Sequence, residues 1–424
     1  MTAQRERLDQ LLTRIDDFID REVAPLQEEH PEYFDHRREF ARTDLDRGGA
    51  PTREWDELLV EMMRRADAAG LYRFALPAEL GGSEGTNLEM ALIREHLANK
   101  PLGLHSDLQT ESSCVGNFPI VLVLHALGSE EQKQMIEPLI RHEVACAFGL
   151  TEPNHGSDAT WLETHATRDG SDWLINGAKR FNTGMHVARY DLVFARTSGE
   201  PGSPRGITAF LVPTDTPGFE VLYHHWTFNM PSDHSEVSLT DVRVPDEAIV
   251  GEEGAGLAAA MLFVHENRIR QAASSLGAAQ FCVDRSVEYA RERVVFGKPL
   301  AVNQAIQWPL VELHTDCALL RELIRDTAAQ MDEYGGSAVS DRISMCNFRA
   351  NRLVCDAADR AIQVHGGIGY TREMPFEHIY RHHRRYRITE GSEEMQIRNI
   401  ARSLFGFGHR SPGQSGDGQP GRPG

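Results

Sequence analysis

One carboxylate, Glu390, stands in a sequence setting where it could carry out proton transfer. It follows the strongly basic run Arg381–Arg387 and is followed at once by Gly391 and Ser392. A lone carboxylate among cations would ordinarily be an ion-pair partner with a depressed pKa. Glycine, however, lets the backbone pass close to a ligand, so a carboxylate beside it can reach a substrate carbon. This arrangement is typical of a base that removes a proton beside a carbonyl group.

Histidines in and near the same basic run raise the alternative of a metal site. His378, His382 and His383 lie close together in the sequence, and His224 and His225 form a second group. Adjacent histidines on one helix point in different directions, and no Cys or Asp at ligand spacing completes either group. We therefore expect no metal site. We expect the arginines of the run to serve ion pairs or anionic phosphates instead.

The composition limits the classes of protein to which the chain can belong. Its 424 residues suit two or three modules, and a hydrophobic content of 41% can fill a large core. The net charge of -19 argues against nucleic acid as a partner. The six cysteines are widely spaced without a CxxC pair, which predicts buried free thiols. No apolar run reaches the length of a membrane span, and the N-terminus lacks an apolar signal core, so we expect a cytoplasmic protein.

Hydrophobic periodicity divides the chain into three regions and a tail. Apolar residues recur at helical spacing over residues 1–146. Short strands between turn residues then predict a compact antiparallel β-barrel or sandwich over residues 147–256. Residues 257–405 return to long helices, as in a four-helix bundle, and the Gly/Pro/Ser-rich residues 406–424 are predicted to be disordered. The order helical, β, helical predicts an α+β fold class and argues against a doubly wound nucleotide-binding fold.

Smaller features can be predicted within these regions. Three long helices are expected over Leu257–Arg293, Gln304–Tyr334 and Ala338–Val364. The Asn-Gly step within Trp173–Phe181 predicts a hairpin turn between two strands. Arg37–Pro51 is charged and Gly-rich, so we expect it to form a surface loop or a poorly ordered insertion.

Four separate stretches of the chain carry a joint signal. They are Gly70–Gly82, Leu150–Asp158, Ala290–Leu300 with Asn303–Gln307, and Gln363–Tyr370 with Glu390–Ser392. Each stretch alone is a weak signal, but their order and spacing together resemble the acyl-CoA dehydrogenase family. The resemblance extends from about Gly70 to Phe405. It implies the fold of that family and an FAD-dependent enzyme whose FAD site is shared between the subunits of a homo-oligomer, a dimer or a tetramer.

The resemblance places one set of residues against the flavin ring. Thr151 and Ser157 offer hydroxyl groups there, and Gly156 allows close approach. Phe181 and Thr183 occupy the positions where the family lays an aromatic residue and a threonine against the flavin. Read without the resemblance, the two hydroxyl residues could be turn caps and Phe181 a core residue. The remaining contacts implied on this side are Phe148, Leu150, Ser392 and Glu394.

The resemblance also places two groups against the dinucleotide part of FAD, one from a neighbouring subunit and one on the adenosine side. The first group is Arg293, Phe296 and Gln304, and the second is Gln363, Gly366 and Gly367. Simpler roles exist for these residues too. A helix arginine is usually solvated, and a Gly-Gly step can be a helix stop. Such simple roles predict no shared order along the chain, so the joint pattern favours the cofactor site.

The reaction implied by the resemblance is α,β-dehydrogenation of an acyl-CoA thioester, with electrons passed to an electron-transfer flavoprotein. Glu390 would remove the α-proton while the β-hydrogen leaves as hydride to flavin N5, and burial is expected to raise its pKa. Some members take the base from an earlier helix, but this chain has Asn267 there, just before Arg268. Arg268 could contact the substrate or form a structural ion pair. The residues expected at the substrate are Ser157, Arg268, Thr389 and Gly391.

Two alternative functions stay open on the same residues. One is a flavin oxidase or monooxygenase built on the same scaffold. The other is a non-catalytic assembly protein, with or without bound flavin. Thr389, Ser392 and Glu393 depart from the residues usual in the family, so the acyl chain is not specified by these motifs. A thioester on a carrier protein in place of CoA is also open.

Overall fold

Helices dominate the N-terminal region of the computed structural model, which describes residues 2–108 (side chains from residue 6 onward), 111–262 and 264–406. The helices are α1 (Thr2–Phe18), α2 (Ala24–Glu29), α3 (Arg38–Arg42), α4 (Arg53–Ala68), α5 (Asn87–Ala98), α6 (Pro119–Leu127), α7 (Glu130–Lys133) and α8 (Ile136–Ile140), with a π-helical turn over Ile19–Val23. Thr52 caps α4 by accepting a hydrogen bond from the Trp55 N–H. The apolar face of α4, which includes Trp55 and Met62, is buried.

The segment Arg37–Pro51 forms ordered secondary structure, so the prediction of a surface loop or a poorly ordered insertion is wrong. It contains α3 and two short antiparallel strands, β1 (Thr43–Asp44) and β2 (Ala50–Pro51). Arg42 is buried and pairs with Asp107 at 3.1 Å, and Arg38 pairs with Glu377. Two arginines of this segment therefore meet carboxylates that lie far away in the sequence, the buried Asp107 and the half-buried Glu377, where composition alone indicates exposure to solvent.

A curled sheet of seven strands forms the central region, in agreement with the predicted α+β class. The strands are β3 (Cys146–Gly149), β4 (His165–Asp169), β5 (Asp172–Thr183), β6 (Tyr190–Arg196), β7 (Ile207–Pro213), β8 (Phe219–His224) and β9 (His234–Pro245). Their order is β3-β6-β4-β5-β9-β8, and β7 also pairs with β6. Pairing is antiparallel except for β3 with β6 and one residue pair between β4 and β6.

The Asn-Gly step lies inside β5, so the predicted hairpin turn within Trp173–Phe181 is wrong. The pairing of β5 with β9 has a bulge between Ile175 and Gly177. The turn of the β4–β5 hairpin lies earlier, at Gly170, whose φ is +68°. A Cβ on Gly177 would stand 2.4 Å from Thr164 Oγ1. Close approach to a neighbouring segment, together with the bulge, therefore explains this glycine.

Strand β6 is buried on both faces and joins two hydrophobic cores. Leu192 and Phe194 pack into the core shared with the N-terminal helices. Val193 and Ala195 point to the opposite face and pack among the other strands. A strand buried on both faces has a continuous apolar sequence, which matches Leu192–Ala195. This strand therefore fixes the position of the sheet against the N-terminal helices.

Long helices return in the C-terminal region, as predicted. They are α9 (Gly256–Met261), α10 (Val264–Glu292), α11 (Gln304–Tyr334), α12 (Ser340–His365), α13 (Phe376–Arg385) and α14 (Glu393–Leu404), and β10 (Val294–Val295) and β11 (Lys298–Pro299) form a hairpin. α10 packs against α11 and α12 and also against α5 of the N-terminal region. Among the described residues, no helix has both the length and the apolar character that crossing a bilayer requires. The predicted disorder of residues 406–424 lies, beyond Gly406, outside the described residues.

Candidate active site

Glu390 lies in the turn that connects α13 to α14, and its backbone is strained. Its φ is +55°, in the left-handed region that residues with a Cβ rarely adopt, and Gly391 follows with φ +85°. Non-glycine residues in this region concentrate at functional sites, where the surrounding structure must hold them. The predicted role of Gly391 in passing the backbone close to a ligand is consistent with this conformation.

Two side chains support this strained turn by hydrogen bonds to its carbonyl oxygens. Arg268 Nε donates a hydrogen bond to the Glu390 carbonyl oxygen at 2.9 Å. Gln396 Nε2 donates to the same oxygen at 3.1 Å and to the Gly391 carbonyl oxygen at 2.9 Å. Gln396 is buried, whereas Arg268 is half-buried. Arg268 has no ion pair within 4 Å among the described residues, so the structure shows it as a support for the Glu390 backbone.

The Glu390 carboxyl group sits where its protonation can change near neutral pH. Burial raises the pKa of Glu390 to about 7, and the negative charge of Glu111 raises it further, while Arg268 and a hydrogen bond from Asn267 act to lower it. The direction agrees with the sequence expectation. Burial is the expected cause, and the charge of Glu111 is an additional cause that the sequence did not indicate. A carboxyl group with a pKa near 7 is suited to general-base catalysis.

Glu111 was missed by sequence reasoning although its charge reaches Glu390. It pairs with Arg385 at 2.7 Å and is held in the left-handed region at φ +59°. The sequence around it has no helical or strand periodicity of apolar residues, so no pattern places it beside Glu390. A second non-glycine residue with positive φ at the same site strengthens the case for a functional cleft.

A row of amide side chains reaches Glu390 from α10 and the loop before α6. Asn267 Nδ2 lies 3.4 Å from Glu390 Oε1, and Asn117 Nδ2 donates to Asn267 Oδ1 at 3.0 Å. Arg270 donates to Asn117 Oδ1 and forms an ion pair with Glu266 at 3.0 Å. Asn267, identified from the sequence only as the absent alternative base, therefore contacts the candidate base itself.

The loop after β3 carries the predicted flavin residues and is fastened to β5. The Arg180 N–H donates to the Thr151 carbonyl oxygen at 2.8 Å. Beside it, Glu152 and Lys179 form a buried ion pair at 2.8 Å. Burial lowers the pKa of Lys179, which Glu152 opposes. A buried pair with good hydrogen bonding fixes geometry more than it adds stability, so Thr151 is held at a defined position beside β5.

The end of β5 presents an aromatic ring and a hydroxyl group to solvent. Phe181 has φ +63°, is 48% exposed and lies 4.8 Å from the ring of His225. Thr183 Oγ1 lies 3.2 Å from His234 Nδ1. The charges of Arg385 and Glu111 act on the pKa of His234, which burial lowers. Thr183 therefore contacts a histidine whose pKa is affected by the charges of Arg385 and Glu111.

The dinucleotide residues predicted from the sequence form a separate exposed surface. Arg293 follows α10, Phe296 lies fully exposed at the tip of the β10–β11 hairpin with φ +49°, and Gln304 begins α11. Tyr289 near the end of α10 stacks on His365 near the end of α12, with ring centroids 4.4 Å apart. The end of α12 therefore lies beside the end of α10.

The adenosine-side group extends from the same end of α12. Gln363 is exposed, and Gly366 ends the helix with φ +64°. A Cβ placed on Gly366 or Gly367 would meet nothing within 4 Å. Among the described residues, no hydrogen bond, ion pair or ring contact joins either dinucleotide group to Thr151, Phe181 or Glu390. Within one chain, the structure therefore does not bring the two halves of the predicted site together.

The remaining predicted residues fall into clear positions. Phe148 is half-buried on β3 with its ring 5.0 Å from that of Phe194, and Leu150 packs against the N-terminal core. Gly156 and Ser157 are exposed in the loop after β3. Near Glu390, Thr389 is exposed, Ser392 precedes α14 and Glu394 is exposed in its first turn; Glu393, by contrast, pairs with Arg387 and Arg352.

These residues suit the flavin that the sequence predicts. Thr151 and Thr183 offer hydroxyl groups, and the Phe181 ring lies exposed outside the hydrophobic core. Gly156 is exposed in the loop after β3, with space at its Cβ position. Contiguous patches of exposed apolar side chains mark ligand or partner surfaces, and the Phe181 ring contacts that of His225. The donor set and the open glycine loop therefore fit a planar, polar-edged ring such as isoalloxazine.

The histidines of α13 are part of the core. His378, His382 and His383 are buried, and burial lowers the pKa of each well below its ordinary value. His383 Nδ1 lies 3.0 Å from Ser275 Oγ, and His382 Nε2 lies 3.0 Å from Tyr386 Oη. Within the described part of the chain, no group of three His, Cys, Asp or Glu residues is arranged to hold a metal ion.

Sequence models of three domains match almost the whole chain. They are described as the N-terminal, middle and C-terminal domains of acyl-CoA dehydrogenase, and they match residues 27–143, 147–242 and 254–405. The three matched ranges include all four stretches on which the resemblance was based.

Individual relatives support the same assignment. Probable acyl-CoA dehydrogenase FadE2 of Mycobacterium tuberculosis is 32% identical over 92% of this chain and 93% of its own. The 3-(aryl)acrylate reductase of Clostridium sporogenes is 32% identical over 87% of this chain and 96% of its own. The structure of butyryl-CoA dehydrogenase from Megasphaera elsdenii is 29% identical with a TM-score of 0.75 and covers 94% of this chain and 98% of its own. The chain therefore belongs to the acyl-CoA dehydrogenase family of oxidoreductase enzymes.

Proposed function

We propose that this enzyme binds FAD and dehydrogenates an acyl-CoA thioester between its α- and β-carbons, with Glu390 as the base that removes the α-proton. One observation carries the proposal. The Glu390 carboxyl group combines a backbone held in the left-handed region with a pKa raised to about 7. A group that the fold holds under strain and keeps near its titration point at neutral pH is suited to proton abstraction.

The residues around Glu390 support the same step. Arg268 and Gln396 hold the turn through its carbonyl oxygens, so the carboxyl group keeps its direction while it accepts a proton. The Glu390 N–H makes no hydrogen bond to another described residue. It is therefore free to donate to the thioester oxygen, on which negative charge develops as the α-proton leaves.

The cofactor would be held by the two separate groups of residues. Thr151, Ser157, Phe181 and Thr183 would hold the flavin ring, with Phe148, Leu150, Gly156, Ser392 and Glu394 around it. Bound FAD would supply the acceptor for the β-hydride. The dinucleotide groups at Arg293 and Gln363 lie on another surface of the same chain, so we infer that a second copy supplies them and that the enzyme is a homo-oligomer.

The electron acceptor is proposed to be an electron-transfer flavoprotein. Phe181 belongs to an exposed aromatic patch, which we define as Phe181, Tyr223 and Trp226, with exposures of 48%, 49% and 66%. The ring of His225 contacts those of Phe181 and Tyr223 at 4.8 and 4.9 Å. Exposed aromatic clusters are typical of protein–protein contact sites. The patch would let a protein partner approach the flavin edge.

The Glu390→Gln variant tests the proposal. We expect it to retain FAD, judged by its visible absorbance, and to lose about a hundred- to ten-thousand-fold in turnover, since a positioned base contributes about 10² to 10⁴ in rate. Glu130→Gln, which changes a 92% exposed carboxylate on α7, is the matched control and should be fully active. Near-normal turnover of Glu390→Gln with bound FAD would remove Glu390 as the base.

A panel of acyl-CoA thioesters separates the remaining functions. Anaerobic bleaching of the bound flavin by one or more thioesters is expected, with slow reoxidation in air. Hydrogen peroxide formation at the rate of substrate oxidation would instead indicate an oxidase on the same fold. A purified protein without flavin absorbance and without response to any thioester would contradict the proposal.

A further inference from the structure

The amide side chains that reach Glu390 have only one consistent orientation. A guanidinium group has no acceptor, so the atom of Asn117 that faces Arg270 must be its carbonyl oxygen. The Asn117 amide nitrogen therefore faces Asn267 Oδ1 at 3.0 Å, and the Asn267 amide nitrogen faces Glu390 Oε1 at 3.4 Å. Arg270 at one end thereby fixes the direction of every donor in the row.

This direction has a chemical consequence for Glu390. An amide N–H can only donate, so the contact from Asn267 stabilises the ionised carboxylate and offers nothing to the proton of the neutral acid. Donors in a row polarise one another when one end carries a charge. Arg270 is buried and is partly neutralised by Glu266 at 3.0 Å, which limits this effect.

We propose that Asn267 and Asn117 are positioning residues that orient the Glu390 carboxylate toward the substrate. Through the row of hydrogen bonds they also transmit the polarising effect of the Arg270 charge to that carboxylate. The inference rests on the proposed role of Glu390 as the base. It gives a function to Asn267, which stands where some relatives are expected to carry the base itself, and to Asn117 and Arg270, which no motif identified.

Other charges face Glu390 from the neighbouring elements. Glu111, held by Arg385, opposes ionisation of Glu390, while Arg268 on α10 favours it. Burial also opposes ionisation. The amide row therefore acts with Arg268 against burial and Glu111. Removal of the amide row should raise the pKa of Glu390, so that the ionised carboxylate forms only at higher pH.

The pH dependence of kcat/KM in Asn267→Ala tests this inference. We expect the apparent pKa of the acid limb to rise by about 0.5 to 1, the effect of one hydrogen bond to a charged group at long distance, with a fall in kcat larger than any rise in KM. Asn117→Ala should move the same limb by a smaller amount. The double variant should match Asn267→Ala, because the row is already broken at its last link.

Asn399→Ala is the matched control. The Asn399 side chain on α14 donates hydrogen bonds to Ser340 and Ser344, and within the described part of the chain it makes no hydrogen bond to the turn that carries Glu390. The acid limb of the pH profile of kcat/KM in Asn399→Ala should coincide with that of the unchanged enzyme. Circular dichroism checks the fold of each variant. If Asn267→Ala does not fold, Asn117→Ala carries the same test from a position further from the turn.

A second readout does not depend on turnover. The infrared band of the protonated Glu390 carboxyl group, assigned by its absence in Glu390→Gln, should titrate at higher pH in Asn267→Ala than in the unchanged protein. An unchanged titration in both amide variants would overturn the inference. Full activity of Glu390→Gln would instead refute the proposed function, and the infrared titration would still decide whether the amide row acts on Glu390.

Discussion

At the scale of single residues, the properties of Glu390 result from opposing effects. Burial and Glu111 raise its pKa, whereas Arg268 and Asn267 lower it, and the net result is a carboxyl group that titrates near neutral pH. The sequence predicts roles for Glu390 and Gly391 because the Glu-Gly step follows a basic run. It could not reveal Asn117, since 150 residues separate Asn117 from the Asn267 side chain that it contacts.

The pH dependence of stability gives the first prediction. The pKa of Glu390 is raised in the folded protein, so its contribution to stability is fully present below the unfolded pKa and is lost as the pH rises to about 7. Glu390→Gln should therefore be more stable than the unchanged protein at pH 8, by about 1 to 3 kcal/mol, and of similar stability at pH 4. Thermal unfolding at both pH values measures the difference. An equal difference at the two pH values would contradict it.

Gly391 gives the second prediction. Gly391→Ala introduces a Cβ at φ +85° whose nearest neighbour is Arg268 Nη2 at 3.1 Å. We expect a loss of about 1 to 3 kcal/mol in stability and a drop in kcat, since the displaced Arg268 supports the turn. Gly170→Ala is the control, because Gly170 has φ +68° with nothing within 4 Å of its Cβ position. Gly170→Ala should lose stability through backbone strain alone and keep its kcat. An equal kcat in Gly391→Ala and Gly170→Ala would contradict the supporting role of Arg268.

At the scale of elements, α10 connects the N-terminal helices to the turn that carries Glu390. It packs against α5 and α12, and its first turns carry Asn267, Arg268 and Arg270. Helical periodicity predicted the bounds of α11 correctly and those of α12 to within two residues. The Asn-Gly turn signal was wrong in β5, because a bulge opposite β9 and close contact with Thr164 use the same residues as a tight turn. Local sequence cannot distinguish these uses of glycine.

Gly277 at the α5–α10 crossing gives the third prediction. A Cβ there would lie 2.2 Å from the Glu95 carbonyl oxygen and 3.0 Å from the Ala98 Cβ. Alanine gains about 1 kcal/mol of helix propensity over glycine, but forcing two backbones apart costs about 1 to 3 kcal/mol or more. We therefore expect Gly277→Ala to be destabilised in denaturant unfolding. Ser274→Ala on the same helix should not be, and a stabilised Gly277→Ala would show that the helices can separate without cost.

At the scale of the whole molecule, the residues proposed to hold FAD form two groups. Arg293, Phe296 and Gln363 lie near the C-terminal ends of α10 and α12, and among the described residues no contact joins them to Thr151, Phe181 or Glu390. Family resemblance could predict both parts from the sequence. The separation between them could not be predicted, because it depends on how the long helices α10 and α12 are placed relative to the sheet.

Phe296 gives the fourth prediction. Its side chain is fully exposed and makes no core contact, so Phe296→Ala should leave the folded chain intact. If a second copy brings Phe296 to the dinucleotide, this variant should purify with less FAD and release it faster on dilution. Flavin content per chain measures the first effect, and the flavin that separates from the protein with time after dilution measures the second. Lys298→Ala, in the same hairpin, is the control, and full flavin content in Phe296→Ala would count against a shared site.

The most direct test of the central claim is exchange of the substrate α-proton with deuterium oxide. With a thioester ligand that cannot lose a β-hydride, the only available step is removal and return of the α-proton, so the measurement isolates the base. We predict exchange in the unchanged enzyme with a rate that rises as the pH passes through about 7, and none above background in Glu390→Gln with bound FAD. Exchange at an undiminished rate in Glu390→Gln would show that another group is the base.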